Sequence, residues 1–147
     1  MESKENKAIQ SFRSGANCAQ AVLTAYSDDL NLDKDLAMSI SSGFGGGMGR
    51  LQETCGAVTG AFMVLGIHNS NRFTDNQDKK EKTYSMIQKF SQKFQSIHGS
   101  IHCSSLLNCD LKTSEGQTYM KENKLVEKVC EKCISTSIGL LEELMEK

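Results

Sequence analysis

The residues of this chain best able to do chemistry are its six cysteines, at positions 18, 55, 103, 109, 130 and 133. A thiolate is a nucleophile, a redox group and a soft metal ligand, and spacing limits which of these roles are open. Cys130 and Cys133 form one C-x-x-C, and no second such pair completes a zinc ribbon. Cys103 and Cys109 add a C-x5-C, and both ferredoxin-type cysteine runs are absent. On a continuous helix Cys130 and Cys133 share a face, from which they could co-ligate or form a thioredoxin-like couple. No βαβ pattern supports thioredoxin itself. The spacing describes a thiolate site of dispersed cysteines and leaves its occupant open. Any one free cysteine is well explained as a small buried hydrophobe; six together in a chain expected in the reducing cytoplasm point to metal or redox chemistry.

Cys55 has the most informative surroundings. It follows "SGFGGGMGRLQET", in which five glycines fall between Gly43 and Gly49, and it opens the apolar "CGAVTGAFMVLGI". The dinucleotide fingerprint fails here, because the sixth position from Gly43, Gly45 or Gly47 is Met48, Arg50 or Gln52. The phosphate-loop pattern fails as well. Glycines still give backbone freedom, and the free N–H groups of such a loop can hold an anion or bond to sulfur. Gly45, Gly46, Gly47, Gly49 and Arg50 are therefore candidate binding residues. A plain hinge between two helices explains the glycines equally well, but it does not require Arg50 or a cysteine in the first helical turn. There the helix dipole favours a thiolate at Cys55. Gly56 and Gly60, with Ala57 and Ala61, keep the following helix thin enough for another helix to approach.

The histidines carry less. His102 adjoins Cys103 and could ligate a metal or accept its proton, whereas His68 and His98 read as solvated or capping residues.

Helical periodicity recurs almost throughout, with no proline and few β-branched runs, so the elements that position these residues are helices. The expected fold is all-α: about six to seven helices in a single domain over residues 1–147, with the glycine loop preceding a buried central helix. Asn17 with Gln20 predicts a capping box that places Cys18 at a helix start, and Asp33 predicts another cap. His68 to Lys82 reads as a polar loop giving way to alternating charge. Tyr84, Ile87, Phe90, Phe94 and Ile97 then form a core stripe on a long helix. Cys103 opens a short helix or turn, and "LVEKVCEKCISTSIGLLEELMEK" forms the last helix.

At 147 residues the chain is long enough for one self-sufficient core. A formal charge of -1 and the lack of a basic stripe argue against nucleic acid. The charged start has no secretory pattern, and the run from Gly56 to Ile67 is too short to span a bilayer, which predicts a cytoplasmic chain and no membrane partner.

The blocks "NCAQAV", "SGFGGGMGRLQETCGAVTGA", "CSSLLNCDLKTSEG" and "VCEKC" together resemble the family labelled C_GCAxxG_C_C, described as "putative redox-active" proteins. The resemblance covers nearly the whole chain. It implies that Cys18, Cys55, Cys103 and Cys130 are the characteristic cysteines. It also implies a redox role, with members encoded among transporter or oxidoreductase genes, selenocysteine in some members and a similar domain in iron–sulfur split-Soret cytochromes. Two departures stand out: Glu131 replaces a frequent proline after the last cysteine, and the export signal of some members is missing.

Two readings follow. In the first, Cys18, Cys55, Cys103 and Cys130 converge on a metal centre, an iron–sulfur cluster or in simpler form a zinc ion, for electron transfer or sensing. In the second, the protein is a metal-free thiol–disulfide oxidoreductase. Cys55 is its low-pKa nucleophile, Cys18 or Cys103 the resolving thiol, and its partner a protein, a small thiol or an oxidant. A homodimer built on the small-residue faces is compatible with both.

Overall fold

The two caps read from the sequence, Asn17 and Asp33, both set helix starts in the computed structural model, which describes residues 2–146. Helix α1 (Lys4–Arg13) begins at Ser3, whose hydroxyl accepts from the Asn6 N–H. Helix α2 (Cys18–Ala25) begins at Asn17, and the capping box is complete: Asn17 Oδ1 accepts from the Gln20 N–H and Gln20 Oε1 from the Asn17 N–H, each at 2.9 Å. Asp33 caps α3 (Lys34–Ser41) through the Leu36 N–H. The chain continues through α4 (Gly56–Arg72), α5 (Asn76–His98), α6 (Cys103–Leu107), α7 (Ser114–Glu122) and α8 (Glu131–Met145). The fold is all-α, with no strand among the described residues and one isolated bridge pairing Thr54 with His102. The described residues form eight helices where about six to seven were expected, the short segment at Cys103 closing a turn of its own.

The polar stretch after His68 is mostly helix, contrary to the loop expected there. Helix α4 runs on to Arg72 and α5 starts at Asn76, capped by Asp75. Asn69 explains the persistence of α4. It is fully buried, and its Nδ2 donates to Thr83 Oγ1 and lies 3.3 Å from Met86 Sδ, so a polar residue serves as the bridge between two helices.

Helix α4 is the centre of the molecule, packed against α2, α5 and α8. Its contact with α2 is the most extensive between any two helices, and small residues make it so. A Cβ on Gly60 would stand 2.8 Å from the Ala19 carbonyl oxygen, and one on Gly56 3.1 Å from Cys18 Cβ. On the other side, Met86, Phe90 and Phe94 of α5 are buried, the two rings contributing about 1.5–3 kcal/mol each through burial. Tyr84 and Ile97, expected in the same stripe, are 55% and 60% exposed. Tyr84 sits roughly opposite Met86 around the helix.

A second, smaller apolar cluster of Cys103, Leu107 and Leu111 stands apart from this core, and Val129 packs against both. The cysteines lie along the seam between the two.

Candidate redox site

Four segments deliver cysteines to the seam. Cys18 is the first residue of α2, Cys55 the residue from which α4 starts, and Cys103 the first of α6. Cys130 immediately precedes α8. Its setting nevertheless differs from that of the other three. A single π-turn, Val126–Cys130, runs without a break into α8, so no free helix end collects at Cys130. Such turns widen the helix by one residue and re-aim the side chains around them. Here Cys130 and Cys133 both face the seam. Glu131, standing where proline is frequent in the resembling family, accepts two hydrogen bonds from Arg13, at 2.9 and 2.8 Å, and ties α8 to α1.

Cys18, Cys55, Cys103, Cys130 and Cys133 all line one cleft of about 640 Å³. Cys109 does not; it is half-buried beside His102 and Asp110 in a neighbouring groove. His102 starts α6 and pairs with Thr54 through the backbone, and it too lies outside the cleft. His98 rests on the Phe94 ring and meets Thr136 Oγ1 at 2.9 Å, joining α5 to α8, while His68 lies beside Arg72.

All six thiols are free, and four of the five in the cleft fall into two pairs. The Cys18 thiol is within hydrogen-bonding reach of Cys130, and that of Cys133 within reach of Cys55. The C-x-x-C is therefore not a couple: it supplies one cysteine to each of two couples. Hydrogen bonding from Cys133 holds the Cys55 thiol below its ordinary pKa against the opposing effect of burial, helped by the Ala57 and Val58 N–H groups at the start of α4. Those N–H groups face the sulfur without closing a full capping bond. The other members move the opposite way. Donation to Cys130 and burial raise Cys18, donation to Cys55 and burial raise Cys133, and burial pushes Cys103 up to about 12.

The glycine loop forms one wall of the cleft. From Gly46 to Arg50 every residue has positive φ, including Met48 at 68° and Arg50 at 64°, and Gln52 follows at 59°. This left-handed turn costs about 1–2 kcal/mol at each non-glycine position, which places glycine at the others. Hydrogen bonds from the Gln52 N–H to the Gly46 carbonyl and from the Glu53 N–H to that of Gly47 hold it. Its close approach is to Cys103: a Cβ on Gly47 would stand 2.7 Å from Cys103 Cβ. Sequence reasoning missed Gln52. Buried in that turn, it donates from Nε2 to the Cys109 carbonyl at 2.6 Å and accepts from the Leu111 N–H at 2.9 Å, anchoring the segment after Cys103. Nothing in the pattern around a lone glutamine announces this.

Across residues 16–144 the chain matches the model of a family described as "Putative redox-active protein (C_GCAxxG_C_C)". The chain belongs to this family. No curated protein and no solved structure matches it. For a C_GCAxxG_C_C protein, the convergence of Cys18, Cys55, Cys103 and Cys130 on one cleft gives the four named cysteines a common location. Cys133 joins them from outside that set.

The donor set meets the demands of different metal groups unequally. Among the described residues no group of three or more His, Cys, Asp or Glu side chains is gathered to hold a single ion, as a zinc site requires. A cluster spreads its thiolates over several metal atoms, and four cysteines around one cleft suit it in number and type. No helix among the described residues is long and apolar enough to cross a membrane.

Proposed function

We propose that the cleft carries out reversible thiol–disulfide exchange, with Cys55 as the attacking sulfur and Cys133 as its resolving partner. The observation that carries this reading is the pairing of the thiols, with Cys55 held below its ordinary pKa while Cys18, Cys103 and Cys133 are held above theirs. A thiolate poised near ambient pH attacks a disulfide fastest, and a neighbouring thiol kept protonated waits to resolve the product. The Cys55 thiolate attacks one sulfur of a substrate disulfide, forming a mixed disulfide and expelling the other sulfur as a thiolate. That thiolate takes up a proton as Cys133 gives one up. The Cys133 thiolate then attacks Cys55 Sγ, closes the Cys55–Cys133 disulfide and expels the second substrate sulfur as a thiolate, which takes a proton from water. Two protein thiols are oxidised and one disulfide is reduced to two thiols. This assignment replaces Cys18 or Cys103 with Cys133 as the resolving residue.

The test is to treat the reduced native protein with less than one equivalent of a small disulfide, block the remaining thiols at acidic pH and map the bridge by mass spectrometry. A Cys55–Cys133 bridge as the first product is expected. A first bridge that omits Cys55, or a random mixture, would overturn the assignment.

A second reading is favoured by the common cleft of Cys18, Cys55, Cys103 and Cys130: these four would hold an iron–sulfur cluster, which supplies one-electron transfer when bound. The protein's own contribution would be the cationic wall at Arg50 and the start of α4, both of which favour the negative charge of four thiolates. Protein purified without oxygen would then contain iron and a visible absorption band that bleaches on reduction. A colourless, iron-free, folded protein rejects this second reading.

A further inference from the structure

The cleft has a chemical bias that thiol pairing does not account for. The chain carries 17 basic and 18 acidic residues, yet the charged side chains lining the cleft among the described residues are Arg50 and Lys121, both cations. The rest of the wall is largely apolar, including Phe12, Leu106, Leu111, Met120 and Val129. Arg50 is an exposed residue that lines the cleft, and its stem lies across the glycine turn. A Cβ on Gly46 would meet Arg50 Cγ at 2.9 Å and Leu111 Cδ1 at 3.6 Å, so the arginine folds over the glycine turn beside a buried leucine. Arginine is a costly choice in a left-handed conformation that asparagine or glycine fills more easily, which points to a use for its charge.

Lys121 comes from α7, which covers the cleft with Gln117, Thr118 and Met120 and packs only lightly on the other helices. Its first turn is fixed. A Cβ on Gly116 would overlap the Asp110 carbonyl, and Gln117 Nε2 donates to the Leu111 carbonyl at 2.8 Å. A volume of about 640 Å³ falls within the range of small-molecule sites, on the order of 300–1,000 Å³.

We infer that the substrate of this cleft is a small organic disulfide with an apolar body and a carboxylate, the carboxylate held by Arg50 and the sulfurs presented to Cys55. The inference rests on the exchange chemistry proposed above, which supplies its balance: the substrate disulfide becomes two thiols as Cys55 and Cys133 become a disulfide. Arg50 fixes orientation and affinity, while Cys55 carries the reaction.

Lipoic acid, a cyclic disulfide on an alkyl chain ending in a carboxylate, serves as the probe, and lipoamide, its neutral amide, as the control. The reduced full-length protein is expected to reduce lipoic acid about tenfold more efficiently than lipoamide, and Arg50→Asn to remove that preference. Asparagine tolerates the left-handed backbone at this position, so the variant keeps the turn. Equal rates for the two probes in the unaltered protein, or an equal loss on both in Arg50→Asn, would overturn the inference and leave the exchange chemistry standing. Calorimetry on Cys55→Ser separates the two claims. Tighter binding of lipoic acid than of lipoamide there, with no reduction by the unaltered protein, upholds the ligand and rejects the exchange. Equal affinity, or no binding of either, rejects the ligand.

Discussion

At the residue scale, Cys55 and Cys133 form an asymmetric pair because one sulfur accepts a hydrogen bond and the other gives it. Removing the donor leaves Cys55 with burial, which raises its pKa, and with the weaker help of two N–H groups. Cys133→Ala should therefore move the pH midpoint of Cys55 alkylation upward by about one unit, slowing the reaction near neutrality about tenfold. An unchanged midpoint would show that the helix start alone sets the pKa. Cys103 contributes at the other end of the pH scale. Its folded pKa of about 12 lies above the ordinary thiol value of 9.0, so the folded state retains a proton that the unfolded chain releases. The stability due to this group is complete below pH 9 and is lost as pH rises toward 12. In thermal melts across that window, Cys103→Ala should show a shallower decline in Tm than the unaltered protein.

At the scale of elements, the site depends on how closely α2 approaches α4, because that contact sets Cys18 beside the start of the central helix. Gly60 permits the approach, and Gly66, farther along α4, meets no atom within 4 Å of where a Cβ would lie. Gly60→Ala should destabilise the protein by about 1–3 kcal/mol through a clash with the Ala19 backbone. Gly66→Ala should be neutral or stabilising by up to about 1 kcal/mol, since alanine is the better helix former. Denaturant melts of the two variants check this, and equal effects would contradict the packing. The small-residue spacing was legible in the sequence because Gly56 and Gly60 recur at helical period. The capping box at Asn17 was legible for a similar reason, since its two partners are three residues apart. The length of α4 was not, because Asn69 looks like a loop residue until Thr83 and Met86 are placed against it.

At the scale of the whole molecule, the all-α class could be read ahead of the coordinates from periodicity, and the resemblance of four sequence blocks singled out four of the cysteines that line the cleft. The pairing among the cysteines could not. It depends on a π-turn that re-aims Cys130 and Cys133, and on the seam between a large and a small apolar cluster, neither of which leaves a local trace. The glycine turn shows both sides: its backbone freedom was evident from composition, while its close approach to Cys103 required the strand-like pairing of Thr54 with His102. The resulting architecture gives paired thiols a shared cleft and leaves Cys103 and Cys109 outside the pairs. An equilibrium titration of the native protein in thiol–disulfide buffers, with each cysteine's alkylation followed by mass spectrometry, tests this most directly. The account predicts that Cys55 and Cys133 lose reactivity together, that Cys18 and Cys130 do so as a second couple, and that Cys103 and Cys109 stay thiols throughout. Persistence of all six thiols across the titration, or a bridge joining Cys130 to Cys133, would contradict it.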